Sequence, residues 1–238
     1  MSTRYMFDVI AFDADDTLWH NETLYSDTQT RFKALLSNHR DPDAVEQALY
    51  HTEMRNLPYF GYGIKAFTLS MIETAIELTG GQIQGRELQK IIELAKEMLQ
   101  AEVKLLDHVE ETVSKLADSH ALMIITKGDL MDQEAKIVRS GLMKYFKYVE
   151  IISTKNKDTY AAILEKHRLD PSQFLMVGNS LKSDILPVVE LGGYGVYIPY
   201  HITWAHETVP EHARGQEGYY ELEHIGLLPA LVEKLSSR

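Results

Sequence analysis

Cysteine is absent from the 238 residues, which excludes disulfides, thiolate metal sites and a thiol nucleophile. No apolar run approaches the roughly 18–20 residues that a membrane-spanning helix needs. The opening MSTRYMFDVIAFD lacks the basic, apolar and small-residue succession of a secretory signal, so a cytoplasmic location is expected. Positive charge is in deficit, with 24 Lys and Arg against 35 Asp and Glu, a net charge of −11. Such a surface repels a phosphate backbone, and no basic stripe offsets it, so neither nucleic acid nor a membrane is an expected partner. The same field opposes an anionic substrate, so any phosphate site must be built from local positive groups. Ten histidines are present, but no HxH or HExxH spacing marks a zinc site. Internal repeats and low-complexity stretches are also missing.

What remains is the composition of a folded protein, 45% hydrophobic and 25% charged, long enough for one large domain or a domain with a smaller companion. Short apolar runs rich in β-branched or aromatic residues occur at Phe7–Phe12, Ala121–Ile125, Tyr148–Ile152, Phe174–Val177 and Tyr194–Ile198. They read as buried parallel strands. Helical patterns at Met131–Gly141, Asp158–Arg168 and Leu181–Leu191 separate the last four, and Asp170-Pro171-Ser172 is a turn signal. This alternation predicts a doubly wound α/β sheet. The rhythm breaks between the first run and the second, where Ser26–His39, Asp43–Asn56, Ile64–Thr79 and Gly85–Leu105 have helical spacing. Ile64, Phe67, Met71, Ala75 and Leu78 fall on one face of the third, and Gly80-Gly81 stops it. A helical insertion is therefore expected as a second, smaller domain at the carboxyl edge of the sheet.

The chemistry gathers where the apolar runs end. They lead into Asp13-Ala14-Asp15-Asp16-Thr17, Thr126-Lys127-Gly128-Asp129, Ser153-Thr154-Lys155 and Gly178-Asn179-Ser180, with Asp184 shortly after. In a parallel sheet these ends share one edge. A carboxylate at Asp13, just off a rigid strand, suits in-line nucleophilic attack. Asp15 is placed to protonate a leaving group and then to activate water. Two carboxylates this close repel, so a hard cation or a shared proton is expected, and Mg²⁺ suits such oxygen donors. Asp184 is the best third oxygen ligand. Thr126 offers a hydroxyl and neighbouring backbone N–H groups to phosphate oxygens; Lys127 and Gly128 are grouped with it as substrate-contacting, though Lys127, like Lys182, also fits a solvated or steering charge. Lys155 supplies a point positive charge for the nucleophile and the transferring group, with Lys157 two residues on as the alternative.

With these residues in place, the sequence resembles the haloacid dehalogenase-like (HAD) hydrolase superfamily. DADDTL at 13–18 is similar to its first motif, DxDxT; Thr126 after ALMII resembles the second, Lys155 the third, and GNSLKSD at 178–184 the acidic fourth. The resemblance implies a Rossmann-like core over 1–19 and 106–238, a helical cap over 20–105, Mg²⁺, and an aspartyl-phosphate intermediate on Asp13. It implies Asp15 as the general acid/base, Thr126 and Lys155 as the phosphate-binding pair, and Asp13, Asp15, Asp184 and Asn179 around the metal. Two positions depart from the pattern. Asp16 stands where Gly is common, and its carboxylate is expected to cap the following turn or to lie outside the site. Asn179 stands where many metal-dependent members carry Asp, and it can coordinate only through its carbonyl oxygen. Members that cleave carbon–halogen bonds need no metal and generally lack the second Asp, since a halide leaves without a proton. Asp15 therefore favours phosphate ester hydrolysis over dehalogenation; a non-catalytic binding module on the same fold is the third reading.

Substrate choice is expected to fall to the cap. Asn56-Leu57-Pro58-Tyr59-Phe60-Gly61-Tyr62-Gly63 reads as a short loop folded over a small ligand, with Asn56 and Tyr59 in contact with it. Trp19 and His20 are expected at the entrance, and Arg55 and Lys65 near an anionic group. A closing cap excludes water and admits small molecules, so a small phosphorylated metabolite is the expected substrate.

Overall fold

The computed structural model describes residues 6–202 and 217–237. Six parallel strands form one sheet: β1 (Val9–Phe12), β2 (Ala121–Lys127), β3 (Tyr148–Ile152), β4 (Phe174–Gly178), β5 (Tyr194–Tyr197) and β6 (Tyr219–Glu221). Their order is β3-β2-β1-β4-β5-β6. Strand order reverses between β1 and β4, and the crevice beyond the carboxyl ends at such a point is where α/β sheets bind ligands. Strand alternation explains the continuous apolar runs. Ile10, Phe12, Leu122, Ile124, Leu175 and Val177 enter one core, together with residues of α5 (Val109–Ala117), α6 (Leu130–Arg139) and α9 (Leu228–Ser236). Val9, Ala11, Met123, Ile125, Phe174 and Met176 enter another, against α7 (Lys157–His167) and Val188 of the short α8 (Leu186–Val189). Both faces are covered, as a parallel sheet requires. The strand β6 was not signalled by any long apolar run; its three residues are all at least partly exposed.

Contacts divide the chain into two compact units. The first, Met1–Glu22, Val103–Lys127 and Ala135–Arg238, carries the sheet; the second is Thr23–Glu102 with Gly128–Glu134. Most of the second is α1 (Glu22–Leu35), α2 (Pro42–Phe60), α3 (Ile64–Leu78) and α4 (Gly85–Gln100). Ile64, Phe67, Met71 and Ala75 of α3 are buried with Phe32, Leu36, Val45, Leu49, Ile91, Ala95 and Met98 in one core, so the expected apolar stripe of α3 is the face that packs. Helix α2 starts at an Asp41 cap that accepts from the Asp43 N–H, with Pro42 in its first turn.

The loop expected at Asn56–Gly63 is mostly helix. Helix α2 runs through Pro58 to Phe60 and stops at Gly61, whose φ of 69° lies in the left-handed region. Proline this close to the end removes one backbone donor in the last turn and leaves the rest of the helix intact. Only Gly61–Gly63 separates α2 from α3. Among the described residues, no helix is long and apolar enough to cross a membrane.

Candidate active site

The first strand delivers its acids through a tight turn. The Asp13 N–H donates to the Val177 carbonyl at 2.9 Å, carrying the β1–β4 ladder one residue past the strand. The Ala14 carbonyl then accepts from the Leu18 N–H at 2.8 Å, and Asp16 takes a left-handed conformation with φ 60°, which Asp tolerates better than most residues. The Asp16 carboxylate accepts from the backbone N–H groups of Asn21 (2.8 Å) and Glu22 (3.0 Å), which start α1. Asp16 is thus a cap, one of the two roles expected for it. Burial pushes its carboxyl up to about 6, against the pull of those two N–H groups.

Lys155, in the loop after β3, reaches across to the end of β1. Its ammonium pairs with Asp13 and lies 2.6 Å from Asp184 Oδ1, and all three side chains are almost fully buried. Lys157 is half-exposed and sits 3.8 Å from Glu190, so Lys155 is the lysine of this cluster. The Thr17 hydroxyl has one proton to share between Asp13 Oδ2 at 3.2 Å and Asn179 Oδ1 at 3.4 Å. Asp184 lies in a π-helical turn, Leu181–Ile185, and its Oδ2 accepts the Ser180 N–H at 3.0 Å. Gly178 makes this approach possible. A Cβ there would lie 2.3 Å from Asp184 Oδ2, a distance no side chain permits.

Two buried carboxylates face one ammonium, so the cluster is short of positive charge. Burial pushes the Asp13 carboxyl up to about 7; Lys155 pulls it down, while the neighbouring Asp184 charge pushes it up again. Burial alone would lower the Lys155 pKa, but the two carboxylates outweigh it and hold the ammonium above its ordinary value. The oxygens of Asp13 and Asp184, with the Asn179 carbonyl beside them, are hard donors that a divalent cation such as Mg²⁺ fits, and its charge would remove the deficit.

Asp15 is held by partners of its own beside this cluster. Its carboxylate accepts from Lys136 of α6 at 2.7 and 2.8 Å and from the Trp19 indole Nε1–H at 2.7 Å. Among the described residues, no three His, Asp or Glu side chains converge as a metal cluster. The Asp15 side chain, expected among the ligands, is instead bound to a cation and an indole.

Thr126, the penultimate residue of β2, is 1% exposed and pairs with Ile151 in the sheet. The Lys127 ammonium donates to Ser183 Oγ at 3.1 Å, which ties the end of β2 to the turn holding Asp184. Gly128 has φ 139°, and a Cβ there would meet the Gln133 amide at 2.9 Å. Trp19 does not line an entrance. It is 1% exposed and packed in the sheet core, with its indole N–H on Asp15. His20 bonds the Tyr200 hydroxyl at 2.7 Å. In the helical unit Asn56 is buried and its amide donates to Ser70 and Glu73, Tyr59 is 80% exposed, Arg55 pairs with Glu73 and Glu77, and Lys65 pairs with Asp129 through both carboxylate oxygens at 3.0 Å. Lys136, the cation on Asp15, carries no signal in the sequence, because a lone lysine in a helical pattern looks solvated until its helix is placed.

This arrangement has known counterparts. Residues 7–192 match the family model of haloacid dehalogenase-like hydrolases. A haloacid dehalogenase-like family hydrolase from Xanthomonas campestris is 39% identical, with a TM-score of 0.88 over 100% of this chain and 96% of that one. The chain belongs to the haloacid dehalogenase-like hydrolase family. More distant members share its fold. A 2-haloacid dehalogenase from Pseudomonas syringae is 20% identical (TM-score 0.63, covering 97% of this chain and 100% of that one). The HAD-hydrolase YfnB from Bacillus subtilis, bound to magnesium, is 17% identical (TM-score 0.66, covering 97% and 99%). No curated protein matches the sequence. Membership makes the chain a hydrolase; dehalogenases stand among its neighbours, so the family alone does not fix the substrate.

Proposed function

We propose that the chain hydrolyses small phosphate monoesters with Mg²⁺, through an aspartyl-phosphate on Asp13. The observation that carries this reading is Asp15, a second carboxyl two residues after the nucleophile, held by two donors at the same sheet edge. A phosphate ester expels an alkoxide, which needs a proton, whereas a halide does not.

An Asp13 oxygen attacks phosphorus as the bond from phosphorus to the ester oxygen breaks, and that oxygen takes the proton of protonated Asp15. Asp15, now a carboxylate, then accepts a proton from water, and the hydroxide attacks the aspartyl phosphate. Inorganic phosphate leaves and Asp13 is restored. Lys155 keeps Asp13 aimed and offsets the charge on the transferring group, while Thr126 and Lys127 are the groups to bind its oxygens. Asp13, Asp184 and the Asn179 carbonyl would hold the Mg²⁺, which when bound supplies positive charge to the nucleophile and the phosphoryl oxygens. Asn179 favours a second reading, metal-free 2-haloacid dehalogenation on the same Asp13, because an amide adds no charge for a cation.

The test is phosphate release from a panel of small phosphomonoesters with Mg²⁺ and with a chelator, beside chloride release from 2-chloropropionate. Chelator-sensitive phosphate release that Asp13→Asn removes supports the proposal. Chloride release that persists in chelator, without phosphatase activity, overturns it in favour of dehalogenation. Neither activity, with Asp13→Asn unchanged in every respect, leaves a binding module.

A further inference from the structure

Asp15 is gripped by a residue that lies outside all four motifs. Lys136 sits in α6, one helix beyond the end of β2, and its ammonium is largely buried, 9% exposed at the side chain. It contacts both Asp15 oxygens, at 2.7 and 2.8 Å, and donates to the Asn21 side-chain carbonyl at 3.2 Å. The Trp19 indole N–H meets Asp15 Oδ1 at 2.7 Å, and its ring is fixed in the core. Asp13 and Asp16 lie close enough that, when ionised, their carboxylates repel that of Asp15. A carboxyl on a turn between two other acids needs a counter-charge to stay in one place, and a buried lysine on a rigid helix supplies it.

We propose that Lys136 is a positioning residue: with Trp19 it holds the Asp15 carboxyl where it can serve the leaving-group oxygen. The role rests on the phosphatase reading above, since only a leaving group that needs a proton makes the position of Asp15 matter. Lys155 cannot substitute, because it is committed to Asp13 and Asp184. The charge work is therefore divided, one lysine for the nucleophile and another for the acid/base.

The experiment compares Lys136→Met and Lys136→Arg with the unaltered chain, with two readouts. The first is kcat/KM, which reports steps up to transfer onto Asp13, for an alkyl phosphate and for p-nitrophenyl phosphate, whose leaving group needs little help. The methionine variant is expected to lose about 10–100-fold on the alkyl ester and less than about 3-fold on the aryl ester, with arginine restoring most of the difference. The second is the indole N–H resonance of Trp19 in a ¹⁵N-labelled protein, told apart from that of Trp204, the other of the two tryptophans, by Trp204→Phe. It is expected to shift in Lys136→Met and to return toward its original position in Lys136→Arg. Equal losses on both esters, or an indole resonance that Lys136→Met leaves in place, would overturn the assignment. If the unaltered chain cleaves neither ester, the phosphatase reading fails, and the indole resonance still decides whether Lys136 holds Asp15. If Lys136→Met does not fold, Lys136→Gln replaces it in both readouts.

Discussion

Asp13 in the sheet unit and Glu53 in α2 both titrate near 7, yet for different reasons. Asp13 is raised by burial, lowered by Lys155 and raised again by Asp184, so its value is a balance among charges. Glu53 is raised by burial alone. The first belongs to a group of acids and a lysine that depend on one another. The second is a carboxyl the fold tolerates without compensation. Equal acidity therefore conceals opposite dependences on charge: removing the cation at the sheet edge should destabilise the protein, and removing the Glu53 charge should stabilise it.

Asp13→Asn is the hardest blow to function and a mild one to the fold, since Lys155 keeps Asp184 as its partner. Phosphate release should fall by at least about a thousandfold, because an amide cannot act as the nucleophile, while the near-isosteric side chain preserves the melting temperature. Lys155→Met sharpens the contrast on the stability side. It leaves Asp13 and Asp184 buried without their cation, and urea unfolding should show a loss of about 3–5 kcal/mol.

Glu53→Gln should act in the other direction. The folded carboxyl titrates near 7 and the unfolded one near 4.5, so the native state binds the proton more tightly. Its contribution is fully present below 4.5 and lost as the pH rises through 7, the reverse of a salt-bridged acid. The glutamine variant should match the parent at pH 4 and exceed it at pH 8 by up to about 3 kcal/mol. Unfolding curves at the two pH values that show no difference would break the comparison. The smallest effect is expected at Asp16: alanine should cost about 1–2 kcal/mol through the lost cap, and asparagine far less, since it caps equally well and accepts a left-handed backbone.

The first five strands, and the acids and lysine that follow them, are legible in the sequence because strand ends in a parallel sheet have no choice about which edge they occupy. Asp13, Lys155 and Asp184 are separated widely along the chain and meet for that reason alone. Trp19 and Asn56 were harder to place, because aromatic and amide side chains beside a motif serve equally well as lining or as support. In the fold both are buried supports, one for Asp15 and one for the Glu73 carboxylate. The end of α2 is hard to read because Pro and Gly within four residues of each other look like a loop, whereas only Gly61 ends the helix. Lys136 carried no local signal at all. Its importance comes from where α6 is laid down, which is a property of the packed sheet and not of its neighbours in sequence.

The membership of the second unit has a practical corollary. Lys65 at the start of α3 grips Asp129, and Gly63 lies so near the Asp129 backbone that a Cβ there would be 3.2 Å from its nitrogen. Gly128–Glu134 is therefore part of that unit although it follows β2 directly. Anyone grafting this helical module onto a related hydrolase would have to transplant two pieces of chain, the long one and this heptad, or else strand an aspartate without its lysine.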